Sequence, residues 1–171
     1  QNVAVGYEAG KNNTTGGPFT FVGYQAGFNK GDNGSGEGTA VGYQALYASG
    51  GPLRNTAIGY QSLYSTTNFG DSNTGVGYQA LYTNTSGSDN TAVGKGALQS
   101  STTAAQNVAV GSLAGEDVTT GQFNTLIGYT AGRNITTGSN NTVVGHNNLV
   151  AITTASNNVA IGINVMYQLT G

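Results

Sequence analysis

The hydrophobic and polar positions of this chain follow one short pattern that is written again and again. In "NTAIGYQSLY" (55–64) a Thr and an Ile stand two residues apart, separated by a small residue and followed by a Gly. The stretches "GTAVGYQALY" (38–47) and "NTGVGYQALY" (73–82) repeat this pattern. Such period-two alternation predicts a short β-strand that ends near the Gly. The Tyr-Gln-Ala-Leu-Tyr segment that follows is predicted to be a second short strand or an extended corner.

The pattern recurs at a nearly constant interval along the whole chain. Its anchor glycines are Gly6, Gly23, Gly42, Gly59, Gly77, Gly94, Gly111, Gly128, Gly145 and Gly162. The intervals between them are 17, 19, 17 and 18 residues and then 17 five times. A fixed period of this kind, with strands at a fixed phase, is typical of a β-solenoid. The sequence therefore predicts an all-β parallel β-solenoid, or β-roll, of ten coils of about 17 residues, forming a single domain over 1–171.

Stacking of equivalent residues predicts which side chains form the core and where the turns lie. We expect the Val or Ile before each anchor glycine to form one core column. A second core column is expected from Leu46, Leu63, Leu81 and Leu98. The Asn that opens most repeats, from Asn55 to Asn158, is expected to hydrogen-bond from coil to coil. The insertions at 31–38 and 70–71 are expected to bulge from a turn, where added length disturbs no stacking.

Composition excludes several classes of function. Charged residues make up 7% of the chain and the formal net charge is −2, so no basic surface is available for nucleic acid or anionic lipid. No apolar run approaches the roughly 20 residues of a membrane-spanning helix, and no membrane insertion is expected. The predicted core is thin, and thin solenoids usually bury further surface against other chains. We therefore expect association with further copies of the chain.

Catalysis is not expected from the residues that usually carry it. His146 is the only His of the chain, Glu116 and Asp117 are neighbours in a predicted turn, and Ser62 and Ser112 occupy ordinary repeat positions. No arrangement of these residues matches a metal site, a catalytic triad or an acid–base pair. We predict that the protein is not an enzyme and holds no cofactor.

One inserted loop carries several oxygen ligands. The segment at 32–37 contains Asp32, Asn33, Ser35 and Glu37 on a glycine-rich backbone. Such ligands could hold Ca²⁺, but the loop lacks the spacing of the known calcium-binding loops and repeats. A solvated turn is expected here, and calcium is the alternative.

Aromatic side chains fall into two columns of the predicted solenoid. The candidate contact residues are Tyr43, Tyr60 and Tyr78 in the first column and Tyr47, Tyr64 and Tyr82 in the second. With Gln44 and Gln61 beside them, these rings could stack on sugar rings and bond sugar hydroxyls. The alternative, which a position repeated in every coil favours, is that stacked tyrosines cover and stiffen the rod. Thr pairs such as Thr102-Thr103 do not predict an ice-binding face, because adjacent strand residues point to opposite sides.

The repeat resembles two related groups of fibre proteins. Its cores "NVAVG" (2–6), "NTAIG" (55–59), "NTAVG" (90–94) and "NVAIG" (158–162) are similar to repeats of YadA-like trimeric autotransporter adhesin heads and of phage tail fibres. The resemblance implies a left-handed β-roll in a homotrimer that forms the head or shaft of a fibre. Two features depart from the adhesins: the coil is longer than the adhesin-head repeat, and these residues include neither a coiled-coil stalk nor a chaperone domain.

We therefore expect a structural and binding segment of an extracellular or virion fibre, such as an adhesin or a phage tail fibre. It is expected to be a fragment of a longer fibre protein and to project or form a host- or surface-attachment region. The expected partners are copies of the chain itself, as a homotrimer or end to end, and a cell-surface glycan or receptor. The first alternative is a self-assembling extracellular filament built by end-to-end stacking. The second is a carbohydrate-binding surface along the tyrosine columns.

Overall fold

The chain forms ten short β-strands joined by turns. The computed structural model describes residues 1–14, 17–29, 37–48, 54–67, 70–149, 153–154 and 156–165. The strands are β1 (Asn2–Val5), β2 (Phe19–Val22), β3 (Gly38–Val41), β4 (Asn55–Ile58), β5 (Thr74–Val76), β6 (Thr91–Val93), β7 (Val108–Val110), β8 (Thr125–Ile127), β9 (Thr142–His146) and β10 (Val159–Ile163). Each strand ends just before its anchor glycine or, in β9 and β10, runs through it. The strand predicted at this place in each repeat is confirmed.

All ten strands belong to one parallel sheet, and each strand pairs with the next one along the chain. The register places equivalent positions of successive repeats side by side. In β4 and β5, for example, Ala57 lies opposite Gly75 and Ile58 opposite Val76. To pair in parallel with its own continuation, the chain must return to the same edge after each turn. The parallel β-solenoid predicted from the sequence is confirmed.

The anchor glycines allow neighbouring coils to approach each other closely. Gly94 has a φ of +136°, and a Cβ built on it would lie 2.4 Å from the carbonyl oxygen of Gly111 in the next coil. The same contact recurs at the other anchor glycines from Gly6 to Gly145, at 1.8–2.5 Å. Glycine is required at this corner both by its backbone conformation and by the lack of space.

The segment after each anchor glycine consists of consecutive turns. Gln61 and Leu63 have φ values of +51° and +50°, and the described residues at the equivalent positions are also left-handed. Positive φ at every second residue fits β-turns whose third residue is left-handed, and it excludes a strand. The prediction of a second strand is therefore wrong. The chain forms a tightly turned corner instead, because it must reverse within a few residues to close a narrow coil.

The core contains the middle residue of most strands, usually Ala, and the leucine of those turns that carry one. The described turn leucines are fully buried: Leu46, Leu63, Leu81, Leu98 and Leu149. Ala57 is also fully buried, whereas Ile58 is 39% exposed. The leucine column is confirmed, but the predicted Val/Ile core column is wrong, because these side chains point outward. A period of two shows that Thr56 and Ile58 share one side of the strand, but not which side faces the core. Because the coil is narrow, the small Ala57 faces the core and the larger Ile58 faces outward.

Large and small core residues are exchanged between the strand and the turn. In several repeats a strand Ala is combined with a turn Leu. Where the strand carries Leu126, the turn carries Gly132, and a Cβ on that glycine would lie 2.7 Å from Leu126 Cδ2. Where the strand carries Phe21, the turn carries Gly27, and a Cβ there would lie 2.4 Å from the Phe21 ring. In these two coils the large strand residue thus fills space that a turn leucine fills in other coils.

A column of asparagines bonds the coils to one another. Its members are Asn55, Asn73, Asn90, Asn107, Asn124, Asn141 and Asn158. The Oδ1 atom of Asn107 accepts bonds from the backbone N–H (2.9 Å) and the Nδ2 (3.1 Å) of Asn124. Its own Nδ2 donates to Asn90 Oδ1 at 3.1 Å and to the carbonyl oxygen of Gly121 at 2.9 Å. The amide is buried, but both its donors and both its acceptor positions are used. The predicted coil-to-coil asparagine bonds are confirmed.

The extra residue in the coil after β4 was predicted from the sequence to lie at 70–71. This prediction is wrong for Gly70. Asn55 Nδ2 donates to the carbonyl oxygen of Gly70, as Asn73 Nδ2 does to that of Gly87. Gly70 therefore holds a regular repeat position. Residues 68–69, which precede it, lie outside the described part of the chain. Of the other insertion, residues 31–36 lie outside the described part of the chain.

Two glycines of one coil differ in how well they should tolerate a methyl group. Gly94→Ala places a Cβ against the Gly111 carbonyl oxygen, so we expect a loss of more than about 4 kcal/mol in the free energy of unfolding. Gly96, with φ +63°, has as its nearest neighbours the ends of the Leu113 and Gln99 side chains. Gly96→Ala should cost only about 1–2 kcal/mol. Urea unfolding followed by circular dichroism compares the two variants, and equal losses would contradict the close contact at the anchor glycine.

Asn107→Asp should make the stability of the rod depend on pH. The introduced carboxylate would face three acceptors, Asn90 Oδ1 and the carbonyl oxygens of Ala105 and Gly121, with no proton to donate. Burial beside these acceptors raises the pKa of the carboxyl above its unfolded value near 3.9. The variant is therefore least destabilised below about pH 4, and the loss grows as the pH rises through the folded-state pKa.

At neutral pH we expect Asn107→Asp to lose about 3 kcal/mol or more relative to the unsubstituted chain. Asn107→Ala is the control without a titrating group; it removes the donated bonds, as Asn107→Asp does, and also the bonds that Oδ1 accepts from Asn124. Urea unfolding of both variants at several pH values measures the difference. A pH-independent gap between them would show that the amide does not donate as described.

Candidate functional surface

The outer face of the sheet carries no charged residue in any of its ten strands. We call it the outer strand face and define it by the positions three and one before each anchor glycine. The first column is Val3, Thr20, Thr39, Thr56, Thr74, Thr91, Val108, Thr125, Thr142 and Val159, and the second is Val5, Val22, Val41, Ile58, Val76, Val93, Val110, Ile127, Val144 and Ile161. The side chains of Ile58, Val110 and Ile127 are 37–39% exposed. The face therefore presents methyl and hydroxyl groups to the surroundings.

The predicted tyrosine columns form, and their rings stack on each other. In the first column the ring centroids are 5.0–5.2 Å apart and the planes lie within 6–14° of parallel, through Tyr7, Tyr24, Tyr43, Tyr60 and Tyr78. In the second the spacing is 5.0–5.2 Å and the angle 4–15°, through Phe28, Tyr47, Tyr64 and Tyr82. Because the faces of the rings cover one another, a column shows solvent mainly ring edges and hydroxyl groups.

This stacking limits what the columns offer to a sugar. Sugar rings stack on the faces of aromatic rings, and inside a column those faces are already occupied by neighbouring rings. The glutamines beside the tyrosines are also engaged: Gln61 Nε2 donates to Gln44 Oε1, and Gln44 Nε2 to Gln25 Oε1, each at 3.0 Å. Both sets of side chains therefore join coil to coil. Sugar binding along Tyr43, Tyr60 and Tyr78 stays a prediction.

The paired threonines divide their hydroxyl groups between the turn and the solvent. Thr102 Oγ1 donates to the Thr119 carbonyl oxygen at 3.0 Å, and Thr119 Oγ1 to that of Thr136 at 3.1 Å. The second members, Thr103 and Thr120, are exposed. Each of these pairs therefore uses one threonine to join coils and presents the other to solvent.

The residues considered for catalysis lie in structural contacts. His146 stacks on Tyr129 with ring centroids 5.2 Å apart, and Glu116 forms an ion pair with Arg133 at 2.5 Å. Ser62 Oγ donates to a backbone carbonyl oxygen at 2.9 Å and is buried. Within the described ranges, no group of three His, Asp or Glu side chains is placed to hold a metal ion.

A shallow groove that the sequence did not indicate lies at the start of β2–β4. It has a volume of about 330 Å³, and its lining includes Phe19, Glu37 and Arg54. The Arg54 guanidinium bonds Asp71 and holds the pKa of that carboxyl below its usual range. The other ligands of the inserted loop, within 32–36, lie outside the described residues, so the calcium alternative stays a prediction. A signal for the groove exists in hindsight, since Phe19 stands where most repeats have Asn.

No family model, curated protein or solved structure matches this chain. The part of the chain that the structure describes includes no helix of the length and apolarity needed to span a bilayer. Its function is therefore argued from its own surfaces.

Tyr64 gives the second column a pH-dependent contribution to stability. Partial burial, with added effects from Tyr47 and Tyr82, raises the pKa of its phenol above the ordinary value near 10. Folding favours the neutral phenol, so this stabilisation is complete below about pH 10 and is lost as the pH rises through the folded-state pKa.

We expect the urea midpoint of Tyr64→Phe to fall less steeply between about pH 9 and 11 than that of the unsubstituted chain. Unfolding monitored by circular dichroism at each pH gives the two slopes, and a titration followed by tyrosinate absorbance checks the phenols directly. Identical slopes for both proteins would contradict a raised pKa at Tyr64.

Proposed function

We propose that this chain is a rigid structural segment of an extracellular or virion fibre, in which three copies pack side by side through their outer strand faces. One observation carries the proposal: the outer strand face is an uncharged strip of Thr, Val and Ile that continues through all ten strands. At the roughly 4.8 Å spacing of neighbouring strands, such a strip extends over about 45 Å. A segment of this kind would project the attachment region of the fibre.

The distribution of side chains inside and outside the coil supports association. The strand residues in the core are mostly Ala, whereas the larger Val and Ile of each strand lie outside. Continuous exposed apolar strips usually mark surfaces that contact another molecule. Removing these methyl groups from water stabilises an assembly by about 25 cal/mol for each Å² of apolar surface buried.

A second copy of the chain suits this surface better than a partner without the repeat. Another copy carries the same columns at the same strand spacing, so its methyl groups meet those of the first rod at every coil. The face has no charge to attract nucleic acid or anionic lipid. The count of three, the left-handed coil and the extracellular or virion location come from the resemblance to YadA-like heads and phage fibre repeats.

The oligomeric state in solution tests the proposal. We expect the unsubstituted chain to sediment as a trimer. The triple variant Ile58→Lys, Val110→Lys and Ile127→Lys should sediment at one third of that mass, because three charges in each chain would be buried at the interface. Circular dichroism should show unchanged β-structure, since these side chains point away from the core.

A matched control places the same charges on exposed turn positions. Thr103→Lys, Thr120→Lys and Thr137→Lys lie on described coils and are exposed, so this variant should remain trimeric. A monomeric unsubstituted chain at micromolar concentration would contradict the proposal. Indefinite fibrils of the chain in electron micrographs would contradict it too and would favour the end-to-end filament.

A further inference from the structure

The first tyrosine column is interrupted at two consecutive coils. Lys95 and Ser112 occupy the positions between Tyr78 and Tyr129 that hold Tyr in most other repeats. The backbone ladder continues without a break: the amides of Gly96, Leu113 and Thr130 donate to the carbonyl oxygens of Tyr78, Lys95 and Ser112 at 2.9, 2.8 and 3.0 Å. The gap is therefore one of side chains only. We call it the aromatic notch and define it by Tyr78, Lys95, Ser112 and Tyr129.

The notch has the size of two missing rings. Successive rings of the column are 5.0–5.2 Å apart. Three steps from Tyr78 to Tyr129 therefore span about 15 Å, and the two positions between them carry Lys95 and Ser112 instead of rings. Gly96, beside the notch, has no side chain. A Cβ built on it would lie 2.9 Å from Leu113 Cδ2.

The rings that border the notch each have a stacked ring on one side only, Tyr60 on Tyr78 and His146 on Tyr129. Tyr78 and Tyr129 are 48% and 51% exposed, whereas Tyr43, with a ring on both sides, is 41% exposed. A ring face is the part of an aromatic side chain that attracts the C–H groups of a sugar ring or the face of another ring. The notch therefore offers a ligand a ring with one unstacked side, whereas rings inside the uninterrupted column are stacked on both sides.

Lys95 places a positive charge in the notch. Its side chain is exposed, and it forms no ion pair with any residue that the structure describes. The nearby carboxylate of Glu116 is paired with Arg133. The ammonium group is therefore available to an anion, and the Ser112 hydroxyl is available to a polar group next to it.

We propose that the aromatic notch binds an acidic pyranose, such as a uronic acid residue of a surface polysaccharide. The sugar ring stacks on the unstacked face of Tyr129 or Tyr78, and its carboxylate pairs with Lys95. The whole notch belongs to one chain, so this site does not depend on the trimer proposed above.

Titration of the chain with sodium D-glucuronate and, separately, with D-glucose tests the site, with amide chemical shifts as the readout. We expect glucuronate to bind at least about tenfold more tightly than glucose, since a charge-assisted bond adds to the ring contact. Shifts should concentrate at residues 94–97 and 111–114. No glucuronate binding at millimolar concentration would overturn the proposal.

Two variants separate the ring contact from the charge. Lys95→Gln should bring glucuronate down to the affinity of glucose. Ser112→Tyr restores the residue of the other repeats, fills half of the notch and should weaken both sugars at least tenfold, with a melting temperature equal or higher because the stack is extended. Lys11→Gln, at a lysine far along the chain, is the control and should leave binding unchanged. Equal weakening by Lys11→Gln, or unchanged binding in Ser112→Tyr, would overturn the proposal.

Sugar binding at the notch and trimer formation through the outer strand face can be tested separately. Loss of sugar binding in Ser112→Tyr is measured at constant sedimentation, whereas the triple lysine variant changes sedimentation and leaves the notch intact. Either proposal can therefore fail while the other stands.

Discussion

From β4 to β9 the rod depends on a buried amide that recurs in each coil, from Asn55 to Asn141. Each central asparagine of the column donates twice and accepts twice, so a strongly polar group lies inside the solenoid without an unpaired atom. Its partners are the asparagine of the coil before, the asparagine of the coil after and a turn carbonyl. These bonds form only when successive coils are in register. Along the column, the constant period of the chain follows from this requirement.

The anchor glycine and the asparagine act at opposite ends of the same strand. The glycine lets backbones meet at a distance that no side chain permits, and the asparagine sets which residues face each other. Between them one side chain of the strand faces inward, in most coils an Ala, and the Val or Ile next to the glycine lies outside. The outer strand face is thus a consequence of how the interior closes. Beyond the glycine, stacked rings and bonded glutamines continue the coil-to-coil contacts on the surface.

Much of this architecture was predictable from spacing alone. The period located the strands, and the repetition of Asn and Leu identified two of the buried columns. The sequence could not show whether Ile58 faces the core or the solvent, because an alternating strand can be placed with either side inward. The width of the coil decides which side faces the core. The turns after the glycine were missed because Gln61 and Leu63 are residues that seldom adopt positive φ.

The candidate surface was predicted in part. Tyr43 and Tyr60 stack as a repeated position suggests, but both of their ring faces are covered by neighbouring rings, which a linear sequence does not show. The notch was missed for a different reason. The repeat is recognised from the residues that recur, whereas the notch is formed by Lys95 and Ser112, the two residues that interrupt the tyrosine column.

The exchange of volume between strand and turn has a consequence for how such a fibre can change its length. From Ala40 to Leu98 the repeats combine a small strand residue with a turn leucine, so their interiors are alike. Recombination that deletes or duplicates one repeat within this stretch would join coils that already fit. At Leu126, a join between this strand and the turn of a coil with a turn leucine would set that leucine against the strand leucine, where even a Cβ at Gly132 is too close. One part of the rod is therefore free to lengthen or shorten over generations, and another part must be inherited as a block.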